Sequence, residues 1–177
     1  VACDEAIADA RLEPGESYPE ERIACILGTG IGGICTIEEQ HVVLLERGPE
    51  RVSPLSVPLL MANAAAGVLS MRHRLRGPSF AVASACATGA HAIATAARLI
   101  AYGDADAVVV GGSEAALSAL ATAAFAAMEA TSPSGVSRPF DRRRDGFVLG
   151  EGAGVLVLED AERAEARGAR VLGYLRG

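Results

Sequence analysis

The apolar run 107-AVVVGG-112 constrains the fold most strongly, because an uninterrupted apolar strand is typical of a sheet that is covered on both faces. A β-type run over 79–84 precedes it, followed by a helical pattern from about Cys86 to Tyr102. Strand, helix and strand in this order predict a right-handed parallel βαβ unit. The chain therefore has the outline of an α/β fold.

Further elements are predicted on both sides of this unit. The pattern indicates helices over 1–12, 36–52, 59–75 and 160–169, and strands over 22–33, over 147–159 and from Arg170 onward. Residues 115–130 fit either a helix or a packed loop, and 131–146 are irregular. With 177 residues, 50% of them apolar, the chain can bury a core of about one domain. Both ends interrupt an element, so we expect a segment of a longer protein.

Charge and residue usage exclude several classes of function. The net charge of −6 argues against a nucleic acid or a membrane surface as partner, since both attract a basic field. Every basic residue other than histidine is arginine, which excludes a Schiff-base lysine within this sequence. The spacing of the four cysteines fits no zinc or redox motif, so no metal is expected. Without a signal peptide or a long apolar run, we expect free thiols and a cytoplasmic location.

Cys86 is the candidate nucleophile. Free cysteine is commonly a buried, small hydrophobe, and that interpretation suits Cys3, Cys25 and Cys35. Cys86 instead falls at the first turn of the predicted helix, where the positive end of the helix dipole favours the thiolate. The backbone N–H groups of a first turn have no partner within the helix and are suited to form part of an oxyanion hole.

None of the three histidines is a suitable base for Cys86. His91 lies five residues further along the predicted helix, so it points away from the thiol. His73 lies in a basic run at a helix end, and His41 lies in an apolar stretch without polar companions. Both are predicted to be structural or solvated.

Four stretches in order carry a family resemblance: 28-GTGIGG-33, 84-SACATGAHA-92, 107-AVVVGGSEAA-116 and 137-SRPFDRRRDGFVLGEGAGVLVLED-160. Together they resemble the elongating β-ketoacyl-acyl-carrier-protein synthases, or ketosynthases, of the thiolase superfamily. The resemblance implies the N-terminal half of a thiolase-like fold, a mixed sheet with flanking helices, incomplete at both ends. Residues 160–177 would then reach into the start of the C-terminal half.

The resemblance also implies an acyltransferase of fatty-acid or polyketide chain elongation. Cys86 would accept an acyl group from an acyl-carrier protein, after which malonyl-carrier protein would lose carbon dioxide and attack the thioester. This chemistry needs no cofactor. Two histidines and a lysine that complete such a site would follow Gly177, so residues 1–177 alone are not expected to complete the reaction.

Further site residues follow from the same resemblance. Ile31 resembles the side chain that closes the bottom of the acyl pocket, and Phe125 resembles an aromatic near that pocket. Val57 and Met61 resemble positions that reach the pocket of the partner subunit in a homodimer. For Ile31 and Phe125 the alternative is ordinary core packing.

Arg47 and Arg51 fall where the family presents cations to its acidic carrier protein. They are expected one turn apart on one helix, although an exposed arginine pair is commonly just a solvated face. Glu129 stands where the family commonly has an arginine, which leaves the carrier's pathway open.

Three other interpretations remain. The loop 28-GTGIGG-33 with Glu46 fits a dinucleotide-binding fingerprint, but weak helix signals directly after it argue against an oxidoreductase. Arg142 to Arg144 lie between Asp141 and Asp145, which predicts a salt-bridged loop. Glu151 is interpreted as a structural carboxylate rather than a base. A non-catalytic or truncated ketosynthase-like subunit is the remaining alternative function.

Overall fold

The computed structural model describes residues 1–176, which divide into two compact units. The first unit contains 1–31, 62–114 and the described residues from 153 onward, and the second contains 32–61 and 115–152. The helices are α1 (Ala2–Ala10), α2 (Ile34–Arg47), α3 (Ser56–Leu60), α4 (Ala64–His73), α5 (Thr88–Ala101), α6 (Ala119–Ala127) and α7 (Ala161–Ala166). The strands are β1 (Ile23–Gly28), β2 (Ser79–Phe80), β3 (Ala107–Glu114) and β4 (Gly152–Glu159).

The four strands form one sheet in the order β2-β1-β3-β4. β1 pairs in parallel with both of its neighbours, and Cys25 lies opposite Ser79 on one side and Val109 on the other. All six residues of β1 and the first five of β3 are buried. The predicted parallel strand–helix–strand unit is therefore confirmed, with β1 inserted between its two strands.

The core of the first unit lies on both faces of β1 and β3, because successive side chains of a strand point to opposite faces. On one face, Cys25, Leu27 and Val109 pack with residues of α1 and α4. On the other face, Ile26 and Val110 pack with alanines of α5 among others. The alanines at the helix surface allow α5 to approach the sheet closely, which explains a core with few aromatic residues.

The second unit contains α2, α3 and α6 together with an irregular segment. Ser118 caps α6 by accepting a hydrogen bond from the Ala121 N–H at 3.1 Å. This settles the open question over 115–130 in favour of a helix with flanking loops. Residues 131–146 contain no regular element beyond an isolated bridge between Thr131 and Phe147, as predicted.

Several predicted boundaries were wrong. The single helix expected over 59–75 is interrupted after Leu60, and α4 begins only at Ala64. The strand expected over 79–84 is reduced to two residues, and the one expected over 147–159 begins at Gly152. Residues 170–176 form no strand, because no described segment pairs with them. Periodicity identifies an apolar segment but not the neighbour with which a strand must bond.

Candidate active site

Cys86 lies in a 3-10 turn, Ala85–Ala87, that runs directly into α5. It is the exposed member of the four cysteines, whereas Cys3 and Cys25 are buried and Cys35 is half-buried. Burial raises the pKa of the Cys25 thiol to about 11 and also raises that of Cys3. Solvent access, which a nucleophile requires, thus distinguishes Cys86 from the two core thiols.

The backbone just before Cys86 is strained. Ala85 has a φ of +48°, in the left-handed region that residues with a Cβ rarely adopt. Buried Thr88 supports this conformation: its hydroxyl accepts from the Ser84 N–H at 2.8 Å and donates to the Ala85 carbonyl at 2.6 Å. The strained turn places Cys86 just before α5 rather than within it. Strained residues commonly occur at functional sites.

One backbone N–H of this turn is available for a ligand. The Ala87 N–H donates to the Ser84 carbonyl at 3.1 Å, and the Thr88 N–H donates to the Ala85 carbonyl. Neither of these two bonds uses the Cys86 N–H, and no other bond described for residues 1–176 does so. A backbone N–H at the start of a helix is a suitable donor for an oxyanion hole. This geometry supports the predicted role of the Cys86 backbone.

The glycine loop after β1 packs against the Cys86 turn. A Cβ added to Gly28 would lie 2.1 Å from the Thr88 Cγ2, and one added to Gly30 would lie 3.6 Å from the Ala85 Cα. Only glycine permits the first approach. At Gly89, in the first turn of α5, an added Cβ would meet nothing within 4 Å. One side of the turn is thus closed by the glycine loop, and the space at Gly89 is open.

Glu114, the last residue of β3, fixes this loop. Its Oε1 accepts a hydrogen bond from the Thr29 hydroxyl at 2.8 Å, and its Oε2 accepts one from the Gly30 N–H at 2.8 Å. The carboxylate already accepts the hydrogen bond of the Gly30 N–H, a donor that a dinucleotide phosphate would need. Its negative charge would also repel that phosphate. The sequence argument against a dinucleotide was wrong on one point, because α2 begins directly after the loop, at Ile34.

The histidines lie where the sequence indicates. His91 and His41 are exposed, on α5 and α2. The His73 Nε2 lies 2.9 Å from the Asp4 Oδ1, in a bridge between α4 and α1. No bond that the structure describes joins any of the three to Cys86.

The residues expected to line the acyl pocket belong to both units. Ile31, 40% exposed, directly follows Gly30, whose N–H bonds to Glu114. It lies in the same unit as Cys86. Val57 and Met61 are exposed at and just after α3, in the second unit. Half-buried Phe125 meets Phe147 edge to face, with ring centroids 5.3 Å apart. Phe147, α6 and the 131–135 segment border an open surface groove of about 290 Å³ in the second unit.

The two arginines expected on one helix are separated by a helix end. Arg47 is the last residue of α2, Gly48 ends that helix with a φ of +85°, and Arg51 lies in the following 3-10 turn. Both side chains are exposed. The glycine explains the correction, since its left-handed conformation breaks the helical path between them.

The other charged motifs have structural partners. Asp141 pairs with Arg143 at 3.1 Å, and Asp145 accepts from the Ser132 hydroxyl at 2.6 Å, so the 141–145 segment is a salt-bridged loop as predicted. Glu151 accepts from the Leu117 N–H at 2.9 Å, in agreement with a structural carboxylate. Glu129 is exposed at the left-handed end of α6, with a φ of +54°.

Sequence reasoning missed the parts that Glu114 and Thr88 play. The available signal for Glu114 was a carboxylate at the end of a buried strand. The glycine loop follows the neighbouring strand, at the same end of the sheet. Thr88 gave a weaker signal, because a threonine beside a cysteine carries no information about the direction of its hydroxyl.

Within residues 1–176, no helix combines the length and the apolar character needed to cross a membrane. Nor does that part of the chain gather three or more histidine, cysteine or carboxylate side chains into a group that could hold a metal ion.

An exposed cysteine on a strained turn at the start of a helix, on an α/β sheet, is the arrangement expected from the resemblance to the thiolase superfamily. Comparison with known proteins agrees. Residues 1–164 match the family model described as "Beta-ketoacyl synthase, N-terminal domain". The chain belongs to this β-ketoacyl synthase family.

Individual relatives are enzymes of the same name. The chain is 46% identical to 3-oxoacyl-[acyl-carrier-protein] synthase 2 of Rhizobium meliloti (strain 1021), over 100% of this chain and 44% of the relative. It is 45% identical to the mitochondrial 3-oxoacyl-[acyl-carrier-protein] synthase of Arabidopsis thaliana, over 99% of this chain and 40% of the relative. The chain thus spans less than half the length of these curated relatives.

Solved structures show the same fold. A β-ketoacyl synthase from Burkholderia phymatum STM815 superposes with a TM-score of 0.82 at 38% identity, over 96% of this chain and 42% of that one. A type II PKS ketosynthase, solved in complex with its acyl-carrier protein and bound to the hexaketide, gives a TM-score of 0.87 at 29% identity, over 96% and 44%. Both confirm the predicted thiolase-like fold.

Proposed function

We propose that this chain provides the nucleophile of a β-ketoacyl-acyl-carrier-protein synthase, an acyltransferase that elongates fatty-acid or polyketide chains by decarboxylative Claisen condensation. The observation that carries the proposal is the exposed Cys86, held on a strained turn whose own N–H is free of the two bonds that close the turn. The family match and the names of the relatives support the reaction type.

In the first step, the Cys86 thiolate attacks the carbonyl carbon of an acyl thioester on the carrier protein. The new C–S bond forms as the bond to the carrier's sulfur breaks, and the carrier leaves as a thiol that takes up the proton Cys86 gave up. The Cys86 N–H donates to the oxygen that gains negative charge, which lowers the barrier because the donor is already oriented.

In the second step, malonyl-carrier protein loses carbon dioxide. The electron pair of the broken C–C bond attacks the acyl carbon on Cys86, and the Cys86 sulfur leaves as thiolate. The product carries two more carbons as a β-ketoacyl thioester. The resemblance assigns the stabilisation of this second step to two histidines and a lysine, which we place outside residues 1–177.

We propose acyl- and malonyl-carrier proteins as partners, and a homodimer as the working form. Exposed Arg47 and Arg51 are suited to an acidic carrier, and exposed Val57 and Met61 to a partner subunit. Ile31 and Phe125 are proposed to line the acyl pocket. Four free cysteines are consistent with a reducing compartment, and we propose the cytoplasm.

The test is acyl transfer in the full-length protein. After incubation with hexadecanoyl-carrier protein, intact-mass spectrometry should show one acyl adduct, and Cys86→Ala should abolish it, because the nucleophile is gone. Cys35→Ala, at the other cysteine that is not buried, should keep the adduct. A stable adduct on Cys86→Ala would refute the assignment. No adduct on the wild-type protein would favour a non-catalytic ketosynthase-like subunit.

A further inference from the structure

The Glu114 carboxylate bonds to two residues of the glycine loop beside the Cys86 turn, and this contact indicates a role for Glu114. β1 and β3 pair in register, with Gly28 opposite Gly112. Two residues further along each chain, Gly30 and Glu114 therefore meet at the same end of the sheet. The register of the sheet, rather than a flexible side chain, brings the carboxylate to the loop.

The contact is tight and specific. Both carboxylate oxygens are used, one by the Thr29 hydroxyl and the other by the Gly30 N–H, each at 2.8 Å. Hydrogen bonds to an ionised acceptor are about twice as strong as neutral ones. Glu114 Oε2 also lies 2.8 Å from the position that a Cβ on Gly30 would occupy. Gly30 is thus the residue type that lets the carboxylate approach.

The clamped residues connect two parts of the candidate site. Ile31 follows Gly30 directly in sequence, and its side chain is 40% exposed. On its other side, Gly30 lies against Ala85, whose strained backbone precedes Cys86. A shift of the loop would therefore move Ile31 relative to the nucleophile.

We infer that Glu114 is a positioning residue that fixes Ile31 with respect to Cys86, and thereby sets the length of acyl chain that Cys86 accepts. This inference rests on the proposed function, because it takes Ile31 as a wall of the acyl pocket. Glu114 itself touches the loop, and its effect on the substrate passes through Ile31.

The experiment uses the full-length protein and two probes, butyryl- and hexadecanoyl-carrier protein, with intact-mass rates of Cys86 acylation for each. In Glu114→Gln one oxygen can no longer accept, so the loop loosens and Ile31 closes the pocket less firmly. We expect the ratio of long-chain to short-chain rates to rise by about threefold or more, a change that the loss of one hydrogen bond is large enough to produce. Glu114→Ala, which removes both acceptors, should raise it further.

Controls separate this role from a general loss of structure. The rate of Cys86 alkylation by iodoacetamide, which needs no acyl pocket, should stay within about twofold in Glu114→Gln. Glu162→Gln, at an exposed glutamate on α7, should leave the ratio unchanged. If the Glu114 variants do not fold, Thr29→Val removes one donor at similar volume and should raise the ratio in the same direction.

The outcomes are distinguishable. Normal wild-type acylation with an unchanged or lower ratio in the variants would overturn this inference alone. An equal loss of alkylation and of both acylation rates would also overturn it, because Glu114 would then be merely structural. A wild-type protein without any Cys86 adduct would overturn the proposed function, and this inference with it.

Discussion

The two compact units differ in how they treat apolar residues. In the first unit, β1 and most of β3 are buried, and both hydrophobic clusters of the described chain lie there. In the second unit, α2 has no buried residue, and α3 and α6 have one each, Ser56 and Ala121. Large apolar side chains such as Leu45 and Val57, 72% and 63% exposed, remain on its surface.

The buried core lies in the first unit, and most of the residues that we propose to contact partners lie in the second. Exposed Cys86, the proposed nucleophile, and Glu114, which bonds to the neighbouring glycine loop, both belong to the first unit with its buried core. The second unit carries the residues proposed to meet the carrier protein and a partner subunit, together with Phe125, whereas Ile31 lies in the first unit. Exposed apolar side chains in such number are typical of surfaces that make contacts.

The largest expected effect tests where the stability lies. Ile26→Ala, in the fully buried β1, should lower the free energy of unfolding by about 2–5 kcal/mol, because it leaves a cavity in a packed core. Ile37→Ala, the same change at a 48% exposed position of α2, should cost under about 1 kcal/mol. Urea unfolding measures both. Equal losses of unfolding free energy would show that Ile37 is packed as tightly as Ile26, and would contradict the difference between the two units.

The next effect concerns the strained turn. Thr88→Val keeps the side-chain volume but leaves the Ser84 N–H without the hydroxyl that accepts its hydrogen bond, at a cost of about 1–3 kcal/mol. We expect that loss in urea unfolding, together with slower alkylation of Cys86 as the turn relaxes. Thr95→Val is the matched control, because its exposed hydroxyl only bonds back to the His91 carbonyl. Unchanged alkylation would mean that Thr88 does not hold the turn.

A smaller effect depends on pH. Asp106 accepts bonds from the Arg22 Nε and Nη2 at 3.2 and 2.8 Å, and this pairing lowers the pKa of the Asp106 carboxyl. A lowered folded-state pKa contributes stability that is present above the ordinary value, about 4, and lost as the pH falls through the folded value. Asp106→Asn should cost about 1 kcal/mol at pH 7.

The measurement is the urea midpoint between pH 7 and pH 3. The wild type should lose more stability below pH 4 than Asp106→Asn, which has no carboxylate to protonate at this position. Parallel curves for the two proteins would contradict the role of the pair.

The smallest effect is expected on the exposed face of the second unit. Leu45→Gln should change the free energy of unfolding by less than about 0.5 kcal/mol, because the side chain is 72% exposed. Thermal unfolding of the two proteins would measure it. A loss of 2 kcal/mol or more, the size expected for a core position, would show that the face is covered in the protein and would sharpen the comparison.

Much of the fold could be predicted from sequence because its signals are local. The apolar runs identify β1 and β3, the helical periodicity identifies α1 and α5, and the residues around Cys86 indicate a nucleophile at a helix start. The boundaries were less predictable. The interruption after Leu60 and the two-residue β2 follow from neighbours that periodicity does not describe.

The site shows the same limit. Cys86 could be proposed as the nucleophile from its place in the chain, and His91 could be set aside by helical geometry. The clamp of Glu114 on Thr29 and Gly30 joins residues about 85 positions apart, and the Thr88 hydroxyl acts through a backbone direction that a one-dimensional pattern lacks. Arg47 and Arg51 were placed on one helix because a single glycine between them was not recognised as its end.

The sequence by itself determined the α/β class and the buried parallel strands, and it indicated Cys86 as the proposed nucleophile, because hydrophobic periodicity and residue type act locally. The tertiary structure decided that β1 lies between β2 and β3, that Glu114 reaches the glycine loop and that Ala85 is held in a strained conformation. These features depend on strand register and on hydrogen bonds between distant residues, and such pairings exist only once the sheet has formed.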